Sequence, residues 1–361
     1  MITPENALRL ENDPEASAKL AGLHYVHEGE PGIVRQRRGR GFSYVKPDGS
    51  RLSNGPEKER IKSLAIPPAY TDVWICTSPK GHILATGRDD KGRKQYVYHP
   101  KWREVRGQTK YARMVAFGEL LPKLRERVEA DMAQPGLGRD KVLATVVKLL
   151  ETTLIRVGNA QYAQENESYG LTTIRKKHVD VDDDTVTFDF TGKSGKDWHI
   201  ELEDERIAEV VSACEDVPGY DLFKYFDEDG ERVGVESGHV NEYLQRVTGE
   251  DVTAKDFRTW AGTVLAAMAL EEFEAFDTET QAKKNVVQAI ERVSKQLGNT
   301  PSIARQSYVH PQVIDAYMDG SLREALKKRA EKKLKKLGGL KPEEAAVLAF
   351  LKARLEEGGA T

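Results

Sequence analysis

Cysteine is nearly missing from this chain. Cys76 and Cys214 are the only two, and their wide separation offers neither a disulfide framework nor a metal-ligand spacing. That scarcity suits a reducing compartment, so a cytoplasmic setting is expected. Long apolar runs are missing too: no stretch of eighteen apolar residues occurs, so no membrane-spanning helix is expected. The opening Met-Ile-Thr-Pro-Glu-Asn has no basic n-region and no apolar core, so no signal peptide is expected. There is no Gly-x-x-x-x-Gly-Lys-Ser/Thr phosphate loop. Gly192-Lys193-Ser194 lacks the earlier glycine and falls between two strand patterns, not before a helix. No His-x-x-x-His pair is present. The one dense carboxylate cluster, Asp180 with Asp182, Asp183 and Asp184, opens like a calcium loop. It then puts Thr185 where the sharp turn needs glycine and Thr191 where a bidentate glutamate belongs. A solvated turn accounts for it. Nucleotide-driven and metal-dependent chemistry are therefore disfavoured, and neither cofactor nor metal is expected.

What is present describes a water-soluble enzyme-sized chain. Its 361 residues are 39% hydrophobic and 31% charged, and that length suggests two domains. The net charge of −3 is unevenly spread. Residues 1–108 hold 19 Lys and Arg against 13 Asp and Glu, and the remainder holds 36 against 45. A basic first domain on an acidic whole hints at a polyanionic partner.

After a short amphipathic helical stretch interrupted at Pro14, residues 22–108 show short alternating runs separated by Pro-Asp-Gly and Pro-Lys-Gly turns. Strands are predicted at 41–45, 73–77, 82–86 and 95–99, with one helix at 57–64. Two basic features stand out here. Arg35-Gln-Arg37-Arg38-Gly-Arg40 places four arginines in six residues. A basic turn through Arg93 and Lys94 leads into a strand whose Tyr96 and Tyr98 share a face by the period of two. Cations beside rings suit phosphates and sugar or base edges; a solvated turn with tyrosines packed on their own sheet reads equally well.

Beyond residue 109 the pattern becomes helical. A helix is predicted over 111–132, broken or kinked at Pro122, and others over 140–156 and 160–167. A β-excursion follows at 171–174, 179–181, 185–190 and 198–202. Helices resume over 205–214, 238–247, from Thr253 to 272, and over 283–297. Thr253 and Asp256 form a capping box with Asp in the Glu position. A lysine-rich helix at 321–337 and a last helix at 342–357 close the chain. The expected fold class is α+β: a small, mostly antiparallel β-domain (1–105) followed by a larger, mainly α-helical domain (106–361) with a β-hairpin excursion.

The stretch Leu297-Gly-Asn299-Thr300-Pro301 through Ser307-Tyr308 organises the functional reading. Thr300 before Pro301 marks a helix start, expected to carry Ile303 and Ala304 inward and to end near Pro311. Helix N-termini favour anions, so a phosphate near Asn299 would be welcome. Taken singly, Arg156 and Arg258 read as salt-bridged arginines, Lys193 as a solvated turn lysine and Tyr308 as a half-buried ring.

Taken in order, the pieces resemble a known family. These are Arg156-Val-Gly-Asn159 with Tyr162; Tyr169-Gly-Leu-Thr-Thr-Ile-Arg-Lys-Lys-His178; Gly192-Lys193; Lys255-Asp-Phe-Arg258-Thr-Trp260; and Leu297-Gly-Asn-Thr-Pro301 with Ser307-Tyr308. The set is similar to the type IB DNA topoisomerases, in the small branch of poxviruses and bacteria. The segment from Gly87 to His99 is similar to that family's N-terminal DNA-contacting strand, and the likeness runs over roughly residues 25 to 320. The resemblance implies that Tyr308 attacks a DNA phosphodiester to give a 3′-phosphotyrosyl link. By the same resemblance Arg156, Arg258 and Asn299 would hold the non-bridging oxygens, and Lys193 would protonate the departing 5′-oxygen. It implies double-stranded DNA as partner, held by a monomer that clamps the duplex.

The chemistry stands on its own footing as well. Donors aimed at oxygens that gain charge give a large electrostatic benefit. Guanidinium grips two oxygens at once, and a lysine proton helps a poor alkoxide leaving group. One phosphodiester replaces another, so resealing needs no ATP. Many relatives, and the tyrosine recombinases, carry histidine where this chain has Asn299; an amide donates a hydrogen bond but cannot shuttle a proton. Arg93, Lys94, Tyr96, Tyr98, Tyr162 and Lys255 are the expected DNA contacts. Tyr317 is a rival nucleophile, disfavoured because the residue nine before it is Tyr308 itself. Two other readings stay open: a tyrosine recombinase, against which Lys255 stands where recombinases typically have histidine, and a DNA-binding protein without catalysis.

Overall fold

The computed structural model describes residues 2–27, 29–273, 276–333 and 339–358. Two compact units divide the chain, Ile2–Ala112 and a second from Arg113 onward. The expected boundary after residue 105 lies inside a continuous helix, so no linker marks it.

The N-terminal unit begins with helices α1 (Pro4–Asn12) and α2 (Pro14–Leu20), split by Pro14 as its fixed φ and missing N–H require. Strands β1 (Ile33–Arg38) and β2 (Gly41–Val45), helix α3 (Pro56–Ser63), and strands β3 (Thr71–Ile75), β4 (Ile83–Arg88) and β5 (Lys94–Tyr98) follow. The sheet is antiparallel in the order β2-β1-β3-β4-β5. Ile33, Ile61, Val73, Ile75 and Ala85 make its core.

Strand β1 was not expected; it holds much of the four-arginine run. Arg35 there is structural. Its guanidinium donates to the carbonyls of Ile66, Pro67 and Tyr70 at 3.2, 3.0 and 2.6 Å and lies 4.2 Å from the Phe42 ring centre.

Helix α4 (Pro100–Met132) is a single helix through Pro122, longer than expected and not broken there. The second unit then continues with α5 (Arg139–Thr153) and α6 (Ala160–Asn166). Residues 171–174, expected as strand, instead form a short 3-10 turn at Leu171–Thr173. Strands β6 (Val179–Asp182), β7 (Thr185–Gly192) and β8 (Lys196–Glu203) form an antiparallel meander. The aspartate cluster spans the end of β6 and the β6–β7 turn, with Asp183 at φ +49°. No group of side chains able to hold a metal ion occurs among the described residues.

Helix α7 (Glu205–Asp216), a small unexpected hairpin of β9 (Lys224–Phe226) and β10 (Arg232–Gly234), and helix α8 (Ser237–Thr248) lead to α9 (Ala254–Glu271). Then come α10 (Glu279–Gln296), the one-turn α11 (Pro301–Ile303), α12 (Pro311–Met318), α13 (Leu322–Lys333) and α14 (Pro342–Gly358). The end of the expected lysine-rich helix, 334–337, lies outside the described residues. Two helices organise this unit: α9, with thirteen buried positions, and α14, whose Ala345–Leu351 run is buried on all sides. Gly118 of α4 lets Trp260 of α9 approach; a methyl there would come within 2.8 Å of the indole. The Trp260 Nε1–H in turn donates to Glu344 of α14 at 3.4 Å, and Arg125 pairs bidentately with that carboxylate at 2.8 Å. Helix α14 thus backs the helix that carries Arg258. No helix among the described residues is long and apolar enough to cross a membrane.

Candidate active site

Each expected catalytic side chain is delivered by a local device that its sequence makes necessary. Helix α5 stops at Thr153, short of the expected residue 156, because Leu154 turns into the left-handed region at φ +57°. Arg156 therefore stands in a loop, not on a helix end. That loop closes tightly: a methyl on Gly170 would meet the Arg156 carbonyl at 2.6 Å and Gly158 at 2.7 Å, and Gly158 itself has φ +101°. Strained backbone held by packing is a recurrent feature of functional sites.

Arg258 lies in the first turns of α9, whose start is fixed by Asp256. That carboxylate accepts from the Thr253 amide and hydroxyl at 2.8 and 2.9 Å. It also accepts from the buried Arg113 guanidinium at 2.7 and 2.6 Å. The capping box is therefore present, with a bidentate arginine added that the sequence did not announce. Arg258 is 4% exposed. It donates to the Leu297 carbonyl at 2.5 Å and to the Leu154 carbonyl, so one guanidinium ties together the segments that carry Arg156 and Asn299.

Tyr308 ends a five-residue π-helical turn, Ala304–Tyr308, which follows the Thr300-capped start. Such turns frequently mark functional sites. This turn buries Ala304 but leaves Ile303 48% exposed, so only one of the two expected inward residues points inward. The Tyr308 backbone lies directly on α9. A methyl on Gly262 would meet the Tyr308 carbonyl oxygen at 2.8 Å and its Cβ at 2.9 Å, and Thr263 Oγ1 donates to that carbonyl at 3.1 Å. The Arg258 guanidinium carbon lies 5.2 Å from the Tyr308 ring centre.

Asn299 accepts a short hydrogen bond from Arg156 through Oδ1, while its Nδ2 is buried without a hydrogen-bond partner among the described residues. Gly298, at φ +60°, brings this segment against Trp198 of β8; a methyl there would come within 2.2 Å of the indole. The hairpin tip bearing Lys193 is thus packed beside the Asn299 segment. Its turn uses Ser194 and Gly195 at φ +67° and +69°.

A cavity of about 400 Å³ is lined by Arg156, Tyr162, Lys193, Lys255, Arg258 and Tyr308, together with Ser168, Tyr169 and loop backbone. Ser168 and Tyr169 were not singled out as site residues, although Tyr169 opens one of the recognised motifs. No acidic side chain lines the cavity. Neither Arg156 nor Arg258 has a carboxylate partner among the described residues. Burial, reinforced by the charge of Arg156, draws the Arg258 guanidinium below its ordinary range, and Tyr308 opposes this. Two neighbouring guanidiniums thus have no carboxylate counter-charge among the described residues, and Asn299, held to Arg156, lies behind them and not on the cavity lining.

The surroundings of Tyr317 argue against it as the attacking group. It is 7% exposed, its hydroxyl accepts from Asn285 Nδ2 at 2.7 Å, and its ring packs on Phe276.

The remaining expected contacts belong to the N-terminal unit. Tyr96 and Tyr98 do share a face, their rings stacked with centres 5.8 Å apart, and the Lys94 ammonium lies 5.7 Å from the Tyr96 ring centre. Arg93 is engaged within its turn, pairing with Asp89 at 2.7 Å. That contact holds the Asp89 carboxyl down at about 2.

A phenol beside two arginines that have no carboxylate partner among the described residues is the arrangement expected of a protein that presents a tyrosine hydroxyl to an anionic ester. The comparisons specify it further. The family described as Eukaryotic DNA topoisomerase I, catalytic core, matches residues 99–337, and the Bacterial DNA topoisomerase IB, N-terminal domain, matches residues 41–89. DNA topoisomerase 1B of Acanthamoeba polyphaga mimivirus is 31% identical over 295 residues, covering 80% of this chain and 88% of the relative. DNA topoisomerase 1B of vaccinia virus (strain Copenhagen) is 22% identical over 283 residues, covering 76% and 86%. The chain belongs to the type IB DNA topoisomerase family.

Proposed function

We propose that this chain relaxes supercoiled duplex DNA through a transient single-strand break made by Tyr308. The Tyr308 oxygen attacks the phosphorus, losing its proton to solvent. The new O–P bond forms as the bond to the 5′-oxygen breaks, and Lys193 delivers a proton to that oxygen. Arg156, Arg258 and the Asn299 Nδ2–H bind the non-bridging oxygens, whose charge grows as phosphorus becomes five-coordinate. The freed end swivels, and its 5′-hydroxyl reverses the step. Bond energy is retained in the phosphotyrosyl link, so the cycle needs no ATP.

The observation that carries this reading is the buried Arg258 guanidinium beside the Tyr308 ring, with the half-buried Arg156 on the same cavity and no carboxylate partner for either among the described residues. The chain acts as a monomer that clamps the duplex, with the N-terminal unit as its DNA-binding half through Arg93, Lys94, Tyr96 and Tyr98. Lys255 contributes from the catalytic unit, where Tyr162, also expected as a contact, lines the cavity beside Lys193. Its place of work is the cytoplasm, at the nucleoid. Tyrosine recombination shares this chemistry, but no observation favours it over relaxation.

The test is relaxation of supercoiled plasmid in EDTA without ATP, with denaturant added to trap a 3′-linked adduct. Tyr308→Phe should abolish both relaxation and adduct while leaving DNA binding within about twofold. Unchanged relaxation by Tyr308→Phe would remove the assignment.

A further inference from the structure

Lys193 projects from the tip of the β7–β8 turn. The backbone there is closed by Gly195 N–H donating to the Gly192 carbonyl at 3.1 Å, but nothing in the turn holds the side chain. Among the described residues Lys193 makes no ion pair and no hydrogen bond. Its ammonium instead lies 5.5 Å from the ring centre of Tyr162. The backbone that carries that ring is anchored. Tyr162 is in the first turn of α6, and its amide donates to the capping Asn159 side chain at 2.8 Å. Asn159 belongs to the same loop as Arg156. The Tyr162 hydroxyl has no hydrogen-bond partner among the described residues, so the ring face is the part in use.

We propose that Tyr162 is a positioning residue that acts through Lys193: its ring face holds the lysine ammonium at the catalytic cavity, ready to protonate the departing 5′-oxygen. The ring's negative face attracts a cation, and it does so without offering an acceptor that could take the proton. A carboxylate in its place would pair with the ammonium and compete with the leaving oxygen. An aromatic ring confines the lysine and leaves its donors available. Tyr162 then serves the protonation step rather than the duplex contact expected of it from the sequence. This inference rests on the reading of Lys193 as the proton donor.

The two can be separated by changing the leaving atom. A thiolate departs without protonation, since a thiol is far more acidic than an alcohol. Single-turnover cleavage by the full chain is measured on a duplex with the ordinary 5′-bridging oxygen and on one with 5′-bridging sulfur. Tyr162→Leu and Tyr162→Gln should slow oxygen cleavage by about fivefold, the scale of an exposed cation–ring contact, and cleave the sulfur substrate at the wild-type rate. Tyr162→Phe should match wild type on both, and duplex binding should be unchanged in all three. Equal slowing on both substrates by the Leu and Gln variants, or a Phe variant as slow as Leu, would overturn the role of Tyr162. Lys193→Ala is the control. If sulfur rescues it while the Tyr162 variants stay slow, the positioning role alone fails. If sulfur does not rescue it, the proton-donor reading falls and this inference with it.

Discussion

At the scale of single residues, the proposed site is marked by groups that the protein leaves unsatisfied beside the cavity. Burying an amide N–H without a partner costs about 1–3 kcal/mol, so the unpaired Asn299 Nδ2 is an expense to the free protein. It is recovered if phosphate oxygen completes the bond. Asn299→Ala removes that donor and should lower the single-turnover cleavage rate by about 10²-fold. Asn299→Asp, which places a negative charge beside the phosphate, should lower it further. Rapid-quench measurement of adduct formation checks both, and equal rates for the Ala variant and wild type would discount the amide. Asn299 was legible because of its spacing from Tyr308. The carbonyls of Leu154 and Leu297 that orient Arg258 were not, since a backbone acceptor leaves no mark on residue type.

Among elements, glycine positions decide how closely the pieces of the site approach. Gly262 lies one helical turn after Arg258 on α9, where a side chain would strike the Tyr308 backbone. Gly262→Ala should therefore destabilise the protein by about 1–3 kcal/mol and reduce cleavage by displacing the phenol. Thermal unfolding and adduct formation should both register the change. The π-helical turn at 304–308 was unreadable for a similar reason: Thr300 and Pro301 announce a helix start, but five ordinary residues carry no signature of a widened turn.

The N-terminal sheet offers a second test at this scale. His82 is 3% exposed, accepts from the Val26 amide through Nδ1 at 2.9 Å, and stacks on Tyr25 with ring centres 4.2 Å apart. Burial, with a smaller contribution from His24, lowers it to about 4. The unfolded chain, with His82 near its ordinary value, binds the proton first as pH falls. Stability is therefore lost as pH drops from about 6.5 towards 4, by up to about 3 kcal/mol. Urea unfolding across that range should show the loss, and His82→Gln should flatten the part due to this residue.

For the whole molecule, the uneven charge of the chain acquires a purpose. A basic first unit and a carboxylate-free catalytic cavity on a net-acidic protein confine attraction for polyanions to particular surfaces. Binding carried by phosphate contacts should weaken steeply with salt, log affinity falling by close to one unit of slope per phosphate neutralised. Filter binding between low and moderate ionic strength measures this, and a flat response would argue against these surfaces. The helices after residue 320, for which the sequence suggested no task, find one in the described part: α14 braces α9 through Glu344 and Trp260.

The sequence by itself determined the fold class, most strands and helices, the family and the five candidate catalytic residues. These follow from local periodicity, capping and turn chemistry, and from motifs whose order survives when the intervening chain changes. Tertiary structure alone decided that Arg35 supports its own sheet, that Arg93 pairs with Asp89 while staying exposed, that Tyr317 is core, and that Arg156 and Arg258 lack carboxylate partners among the described residues. Residue type and spacing report which groups a chain carries; only the folded neighbourhood settles which of those groups are already satisfied. An arginine that braces its own sheet and one that lines a cavity beside a phenol are written with the same letter.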